Sequence, residues 1–133
     1  MRTDSAPMDL RVPFAASSVG LVRKRLRDWM TAQRLPAERV EEARVLLSEL
    51  VGNAVRHARP LADGTLQIIW CLDGGALRLS VTDGSGSGRP HTVHAPPNAV
   101  SGRGMMIVDS LAQSWWVDQS GRRTTVHALL ALR

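Results

Sequence analysis

Residues 48–58 read Ser48-Glu49-Leu50-Val51-Gly52-Asn53-Ala54-Val55-Arg56-His57-Ala58, and they set a carboxylate, a carboxamide and an imidazole four residues apart along an apolar helical pattern. At roughly 100° per residue, Glu49, Asn53 and His57 form one polar stripe. Leu46, Leu47, Leu50, Val51 and Ala54 occupy the adjoining face that a core would bury. Glu can take a proton from a nucleophile, and Asn offers a neutral oxygen to Mg²⁺, a hard cation that keeps several waters and takes other ligands from phosphates. The pair hints at phosphoryl chemistry, with a solvated helix face as the bland alternative for three polar residues in isolation.

Outward from this helix, the chain alternates elements of different period. Met8, Leu10, Val12 and Phe14 alternate as in a half-buried strand, and Pro13 predicts an edge position. Ser17 or Ser18 can cap a helix to about Arg34, with Val19, Val22, Leu26 and Met30 on one side. Leu35-Pro36 breaks it. The second helix then runs from about Pro36 to Ala58, with Glu38, Glu41 and Glu42 at its positive end, and Arg59-Pro60 stops it. Thr65 to Leu72 and Ala76 to Thr82 predict a hairpin across Asp73-Gly74-Gly75. From Asp83 to Gly104 no periodic apolar residues occur, which predicts a long functional loop. Met105 to Gln113 resumes a helical pattern, and Trp115 to Gln119 with Thr124 to Leu132 predicts a closing hairpin around Ser120-Gly121.

Composition bounds the function classes. A chain of 133 residues with 44% hydrophobic and 22% charged residues suits one soluble domain spanning 1–133 that needs no metal or disulfide staple. The lone Cys71 sits in an alternating apolar run and reads as a free thiol in a reducing cytosol. No apolar run approaches the roughly 20 residues of a membrane helix, and Met1-Arg2-Thr3-Asp4-Ser5 leads into no signal-peptide apolar region. The expectation is a cytoplasmic protein without membrane contact. The net charge of +5 is carried almost wholly by dispersed arginines. Its one cluster, Arg23-Lys24-Arg25 with Arg27, comes without a nucleic-acid motif, so no direct nucleic-acid partner is expected.

Two further segments carry chemistry. Asp83 ends the strand alternation Leu77, Leu79, Val81 and is followed by Gly84-Ser85-Gly86-Ser87-Gly88. A carboxylate there can accept the exocyclic amine of adenine, although the same glycines also make a plain turn. Gly102-Arg103-Gly104 leads into Met105-Met106-Ile107-Val108. Such a junction is an anion site where free amides meet the helix dipole, or a mere loop-to-helix joint. The only lysine is Lys24 and no Gly-x-x-x-x-Gly-Lys-Ser/Thr run exists, which excludes a Walker-type loop. Nor does Gly102-Arg103-Gly104 follow a strand in a βαβ unit, which argues against a dinucleotide fold.

Together these segments resemble the GHKL ATPase superfamily and, within it, the compact bacterial anti-sigma-factor serine/threonine kinases of the actinobacterial type. Residues 48–58 look like the family's N box, Val81-Thr82-Asp83-Gly84-Ser85 like its first glycine box, and Ser101 to Val108 like its second. The first box departs from the usual Asp-x-Gly-x-Gly order, with serines at 85 and 87 and glycines at 84, 86 and 88.

The resemblance implies an α+β fold, a two-layer α/β sandwich of the Bergerat type, with helices on one face of a mostly antiparallel sheet. It implies ATP and Mg²⁺ as cofactors. Glu49 would be the general base, Asn53 the Mg²⁺ ligand and Asp83 the adenine-reading carboxylate. Arg56, His57, Ser85 and Met105 would line the nucleotide site, and Gly102, Arg103 and Gly104 would hold phosphates. Residues 84–102 would form the lid, and Thr125 would support Asp83 through water. The implied partners are a STAS-type anti-sigma-factor antagonist, phosphorylated on serine, a sequestered sigma factor, and a second copy in a homodimer. His127 stands where many relatives carry tryptophan and is assigned no role. A non-catalytic docking module of the same fold, a histidine-kinase catalytic domain lacking its phospho-acceptor helices, and a basic DNA-binding protein are the alternatives.

Overall fold

In the computed structural model, residues 6–86, 91–93 and 102–133 are described, with the backbone alone for 91–93 and 102–104. Chain order is β1 (Met8–Pro13), α1 (Ser18–Ala32), α2 (Ala37–His57), β2 (Thr65–Asp73), β3 (Ala76–Asp83), β4 (His91–Val93), α3 (Gly102–Leu111), β5 (Ser114–Ser120) and β6 (Arg123–Ala131). The strands form one six-stranded sheet in the order β1-β2-β3-β6-β5-β4, with antiparallel pairing throughout. The α+β reading with an antiparallel sheet agrees with this.

Each hairpin is set by a glycine where a two-residue turn needs a left-handed first residue: Gly74 at φ 63° and Gly121 at φ 62°. β3 then pairs with β6, joining the two hairpins, and β1 takes an edge. At an edge the missing N–H of Pro13 costs no interior ladder bond.

Strand alternation sorts the side chains into two layers. Leu66, Ile68, Trp70 and Leu72 of β2, Leu77, Leu79 and Val81 of β3, and Ala128 and Leu130 of β6 enter one core. Val22, Leu26 and Met30 of α1 meet them there, with Leu46, Leu47, Leu50 and Val51 of α2 and Met105 and Val108 of α3. Trp29 meets Trp70 edge to face at 6.3 Å, fixing α1 over β2.

On the other face of the sheet a group of polar residues is bonded together. Ser80 Oγ lies 2.7 Å from His127 Nδ1, and His127 Nε2 lies 3.0 Å from Asp118 Oδ2. A carboxylate only accepts, so Nε2 carries the proton and Nδ1 accepts from Ser80. Trp116 stacks on the imidazole at 5.0 Å. Burial pushes the pKa of His127 down from 6.5, Asp118 pulls it up less, and the Arg78 guanidinium pushes it down further.

Three sequence expectations are corrected. The stretch from Asp83 to Gly104 contains β4, which pairs with Val117–Gln119 of β5. Three residues are too few for alternation to show. α3 begins at Gly102, not Met105, and ends at Leu111. Ser17 precedes α1 without a side-chain capping bond, while Ser18 Oγ donates to the Pro13 carbonyl at 2.6 Å. α1 ends at Ala32, two residues before Arg34, which adopts φ 60° ahead of Leu35-Pro36.

Two predictions follow from this packing. Leu47 has no exposed surface and Val45, on the same helix, is 42% exposed. Leu47→Ala should cost about 3 kcal/mol and Val45→Ala about 0.5 kcal/mol or less in urea unfolding, and equal losses would contradict the buried face of α2. For His127 the folded pKa lies below the unfolded one, so its contribution to stability is complete above pH 6.5 and is lost as pH falls toward the folded value. Urea titrations across this range should show a drop in the wild type that His127→Gln lacks, and parallel curves would contradict it.

Candidate functional site

α2 leaves the core at its C-terminal end, and a cavity of about 230 Å³ opens there. Leu50, Asn53, Ala54, His57 and Ala58 form its helix wall, Val81 and Asp83 its floor from β3, and Thr124 and Val126 its floor from β6. Val117 and Gln119 of β5, Met105 of α3 and Ser85 complete it. The wall is mostly apolar, with a few polar groups.

Two of those polar groups have no partner. Asn53 Oδ1 and Thr124 Oγ1 are buried and make no hydrogen bond among the described residues. A buried polar atom left unpaired costs about 1–3 kcal/mol, so the cavity presents hydrogen-bonding capacity that the fold does not use. The site holds a neutral oxygen rather than a cage of charges. Among the described residues no group of three or more His, Cys, Asp or Glu could hold a metal. Asn53 Oδ1, a neutral oxygen without a partner among the described residues, is a ligand type that Mg²⁺ accepts.

Asp83 is 5% exposed and sits at the end of β3, opposite Thr124 in the β3–β6 register. Burial raises its pKa above 3.8, and the backbone N–H and the hydroxyl of Ser85 both pull it back. Ser85 N donates to Asp83 Oδ1 at 2.7 Å. The surrounding backbone is closely stitched. Gly84 N donates to the Arg59 carbonyl at 2.8 Å, Arg59 N donates to Ser85 Oγ at 2.8 Å, and Gly86 N donates to the Arg122 carbonyl at 3.0 Å. A Cβ on Gly84 would lie 2.1 Å from the Pro60 carbonyl oxygen, and one on Gly86 2.4 Å from the Arg122–Arg123 peptide. Glycine is required at both places by approach of other backbone.

The sequence-predicted residues divide accordingly. Asn53, His57, Asp83, Ser85 and Met105 share the cavity wall. Glu49 is half-buried one helical turn before Asn53, and neither it nor Arg56 is on that wall. Arg56 is exposed and folds back on its own helix, within 3.1 Å of where a Cβ on Gly52 would lie. The backbone of Gly102, Arg103 and Gly104 makes the first turn of α3, directly before Met105. Of the expected lid at 84–102, Gly84 to Gly86 belong to the stitched segment, residues 91–93 are β4 and α3 starts at Gly102, while residues 87–90 and 94–101 lie outside the described residues.

Thr125 is corrected. Its hydroxyl lies 2.7 Å from Thr82 Oγ1 and is absent from the cavity wall, where Thr124 stands instead. Strand parity carried the signal: Thr124 shares its side of β6 with Val126, Ala128 and Leu130, which line the cavity or enter the core. Gln119, also on the wall, carried the same signal, since it shares its side of β5 with Val117 on the wall and Trp115 in the core.

The histidine kinase-like ATPase domain family model matches residues 12–129. No match is found among curated proteins. Among solved structures, the RsbU and RsbW domains of Rv1364c from Mycobacterium tuberculosis superimpose with a TM-score of 0.72 at 21% identity, over 96% of this chain and 33% of that one. The chain thus spans about a third of that structure's length, and at this identity the likeness shows the fold. With the family match covering nearly the whole chain, from β1 to β6, the protein belongs to the histidine kinase-like ATPase domain family.

Proposed function

We propose that the cavity binds the base of ATP and that the chain acts as a serine/threonine protein kinase of the anti-sigma-factor type. One observation carries the reading: Asn53, Asp83 and Thr124, with two oxygens among them that lack a partner among the described residues, converge on one apolar-walled cavity beside the start of α3. The cavity falls below the roughly 300 Å³ at which drug-sized pockets begin, so it suits a nucleobase, with the phosphates outside it. Asp83 accepts the exocyclic amine of adenine, and Thr124 supplies the hydroxyl beside it. The amides of Gly102, Arg103 and Gly104 at the start of α3 receive phosphate oxygens. Asn53 would hold Mg²⁺, which when bound offsets phosphate charge.

Glu49, one helical turn from Asn53, takes the proton of a substrate serine hydroxyl as that oxygen bonds to the γ-phosphorus and ADP leaves. The substrate is a STAS-type anti-sigma-factor antagonist, released by phosphorylation. Sequestration of a sigma factor, a homodimeric state and a cytoplasmic location belong to the same reading. The structural likeness to a chain with an RsbW domain supports this reading. No described helix is long and apolar enough to cross a membrane.

Two variants test it. Glu49→Gln should bind ATP within about twofold of wild type while losing roughly 100-fold or more in phosphate transfer to a cognate antagonist. Full transfer by this variant overturns the base assignment, and tight ATP binding by a wild type that transfers nothing identifies a docking module. Asp83→Asn should lose ATP binding yet unfold at a higher temperature than wild type at pH 7. A carboxyl whose folded pKa is raised contributes stability below its unfolded pKa of 3.8 and loses it as pH rises through the folded value. The advantage of Asp83→Asn should therefore vanish toward low pH. A variant less stable than wild type at pH 7 would contradict the burial cost of Asp83.

A further inference from the structure

Serine stands at position 85 where the resemblance sets a glycine, and its side chain bonds to the segment that follows α2. Its hydroxyl accepts the Arg59 N–H at 2.8 Å across 26 residues of sequence. Its backbone N–H is held on Asp83 Oδ1. Arg59 lies two residues beyond the end of α2, so the hydroxyl spans the helix that carries Asn53 and the strand that carries Asp83.

We infer that Ser85 is a positioning residue for nucleotide recognition: its hydroxyl, by accepting the Arg59 amide, fixes the Ser85 backbone whose N–H holds one Asp83 carboxylate oxygen, and the other oxygen is left to accept from the base. The inference rests on the nucleotide reading above. A hydroxyl can accept as well as donate: here it accepts from Arg59 while the Ser85 N–H donates to Asp83, and contact with Ser85 opposes the rise that burial imposes on the Asp83 pKa. An ionised carboxylate is an acceptor only, which is what an exocyclic amine needs. The serine at 85 thus takes up in polar contacts what the usual glycine gives in backbone freedom. Gly84 and Gly86 on either side retain that freedom where other backbone approaches.

Two measurements on the full chain decide it. In the nucleotide-free protein, the Asp83 carboxyl followed by carbon-13 NMR should titrate at higher pH in Ser85→Ala than in wild type. ATP binding by calorimetry between pH 5 and 8 should be roughly tenfold weaker in Ser85→Ala at pH 7, with its acid-side decline displaced to higher pH. His57 is the other titratable side chain on the described wall, and it is present in both proteins, so its titration cancels. Ser85 is exposed, which gives Ser85→Thr room for its methyl, and this variant should match wild type in both measurements.

An unchanged Asp83 titration in Ser85→Ala overturns the inference, as does ATP affinity equal to wild type at every pH. Failure of Ser85→Thr to restore either property does the same. A wild type that binds no ATP overturns the nucleotide reading, and the Asp83 titration still decides the link to Ser85.

Discussion

The rest of the structure depends on one helix being buried along most of its length and released at its end. α2 runs for 21 residues, and Val40, Ala43, Leu46, Leu47, Leu50, Val51 and Ala54 fix its rotation and depth against the sheet. The positions one step around the helix from that apolar stripe then have no freedom of placement. Asn53 is brought to the seam between helix and strands because Leu50, its neighbour three residues earlier on the helix surface, and Ala54, the next residue in the chain, are held by the core. The seam opens into a cavity only where the sheet ends in Asp83 and Thr124. A binding site made this way is preorganised by hydrophobic burial, and its polar atoms are aimed by side chains they never touch.

That preorganisation has a cost visible in the hydrogen bonding. Asn53 Oδ1 and Thr124 Oγ1 are buried without partners among the described residues, and Asp83 is buried against its tendency to ionise. Such groups lower stability and are recovered only when something binds. The stitching around Gly84 and Gly86 keeps the segment from relaxing into the cavity, since its amides are committed to the carbonyls of Arg59 and Arg122. Three separate parts of the chain, the end of α2, the end of β3 and the β5–β6 turn, meet there by backbone contact. Any side chain at 84 or 86 would part them.

Periodicity made most of the fold readable. The alternation at 65–72 and 76–82 and the helical spacing through 37–57 each reflect a single buried face, which is the condition under which pattern reports structure. β4 escaped because its three residues pair through backbone with the β5 edge. The start of α3 escaped because Gly102 and Gly104 have low helix propensity, and the apolar pattern that marks the helix begins only at Met105. In the site, Asn53, His57 and Asp83 were legible from residue type and spacing. Thr124 was legible in principle from parity, and the choice of Thr125 came from resemblance to a motif in which one of two adjacent threonines had to be selected. Ser85 was visible as a departure, but its contact with Arg59 joins residues 26 apart and no local pattern encodes it.

The two faces of the sheet show why the cavity, and not the other cluster of reactive side chains, is the functional candidate. Ser80, His127 and Asp118 contain the residue types of a nucleophile, a base and an orienting acid, and they are in hydrogen-bond reach of one another. Ser80, however, is 5% exposed in the middle of β3, with β2 and β6 paired on either side. Flanking amides are therefore engaged in ladders, and a developing oxyanion would find no free backbone donors. The relay is closed on itself: Nδ1 accepts from Ser80, Nε2 donates to Asp118, and Trp116 covers the ring. On the helix side the chemistry is the reverse, with oxygens at Asn53 and Thr124 that have no partner among the described residues and a carboxylate held by one oxygen beside them. Residue type alone would favour the first cluster, whereas the balance of satisfied and unsatisfied hydrogen-bonding groups selects the second.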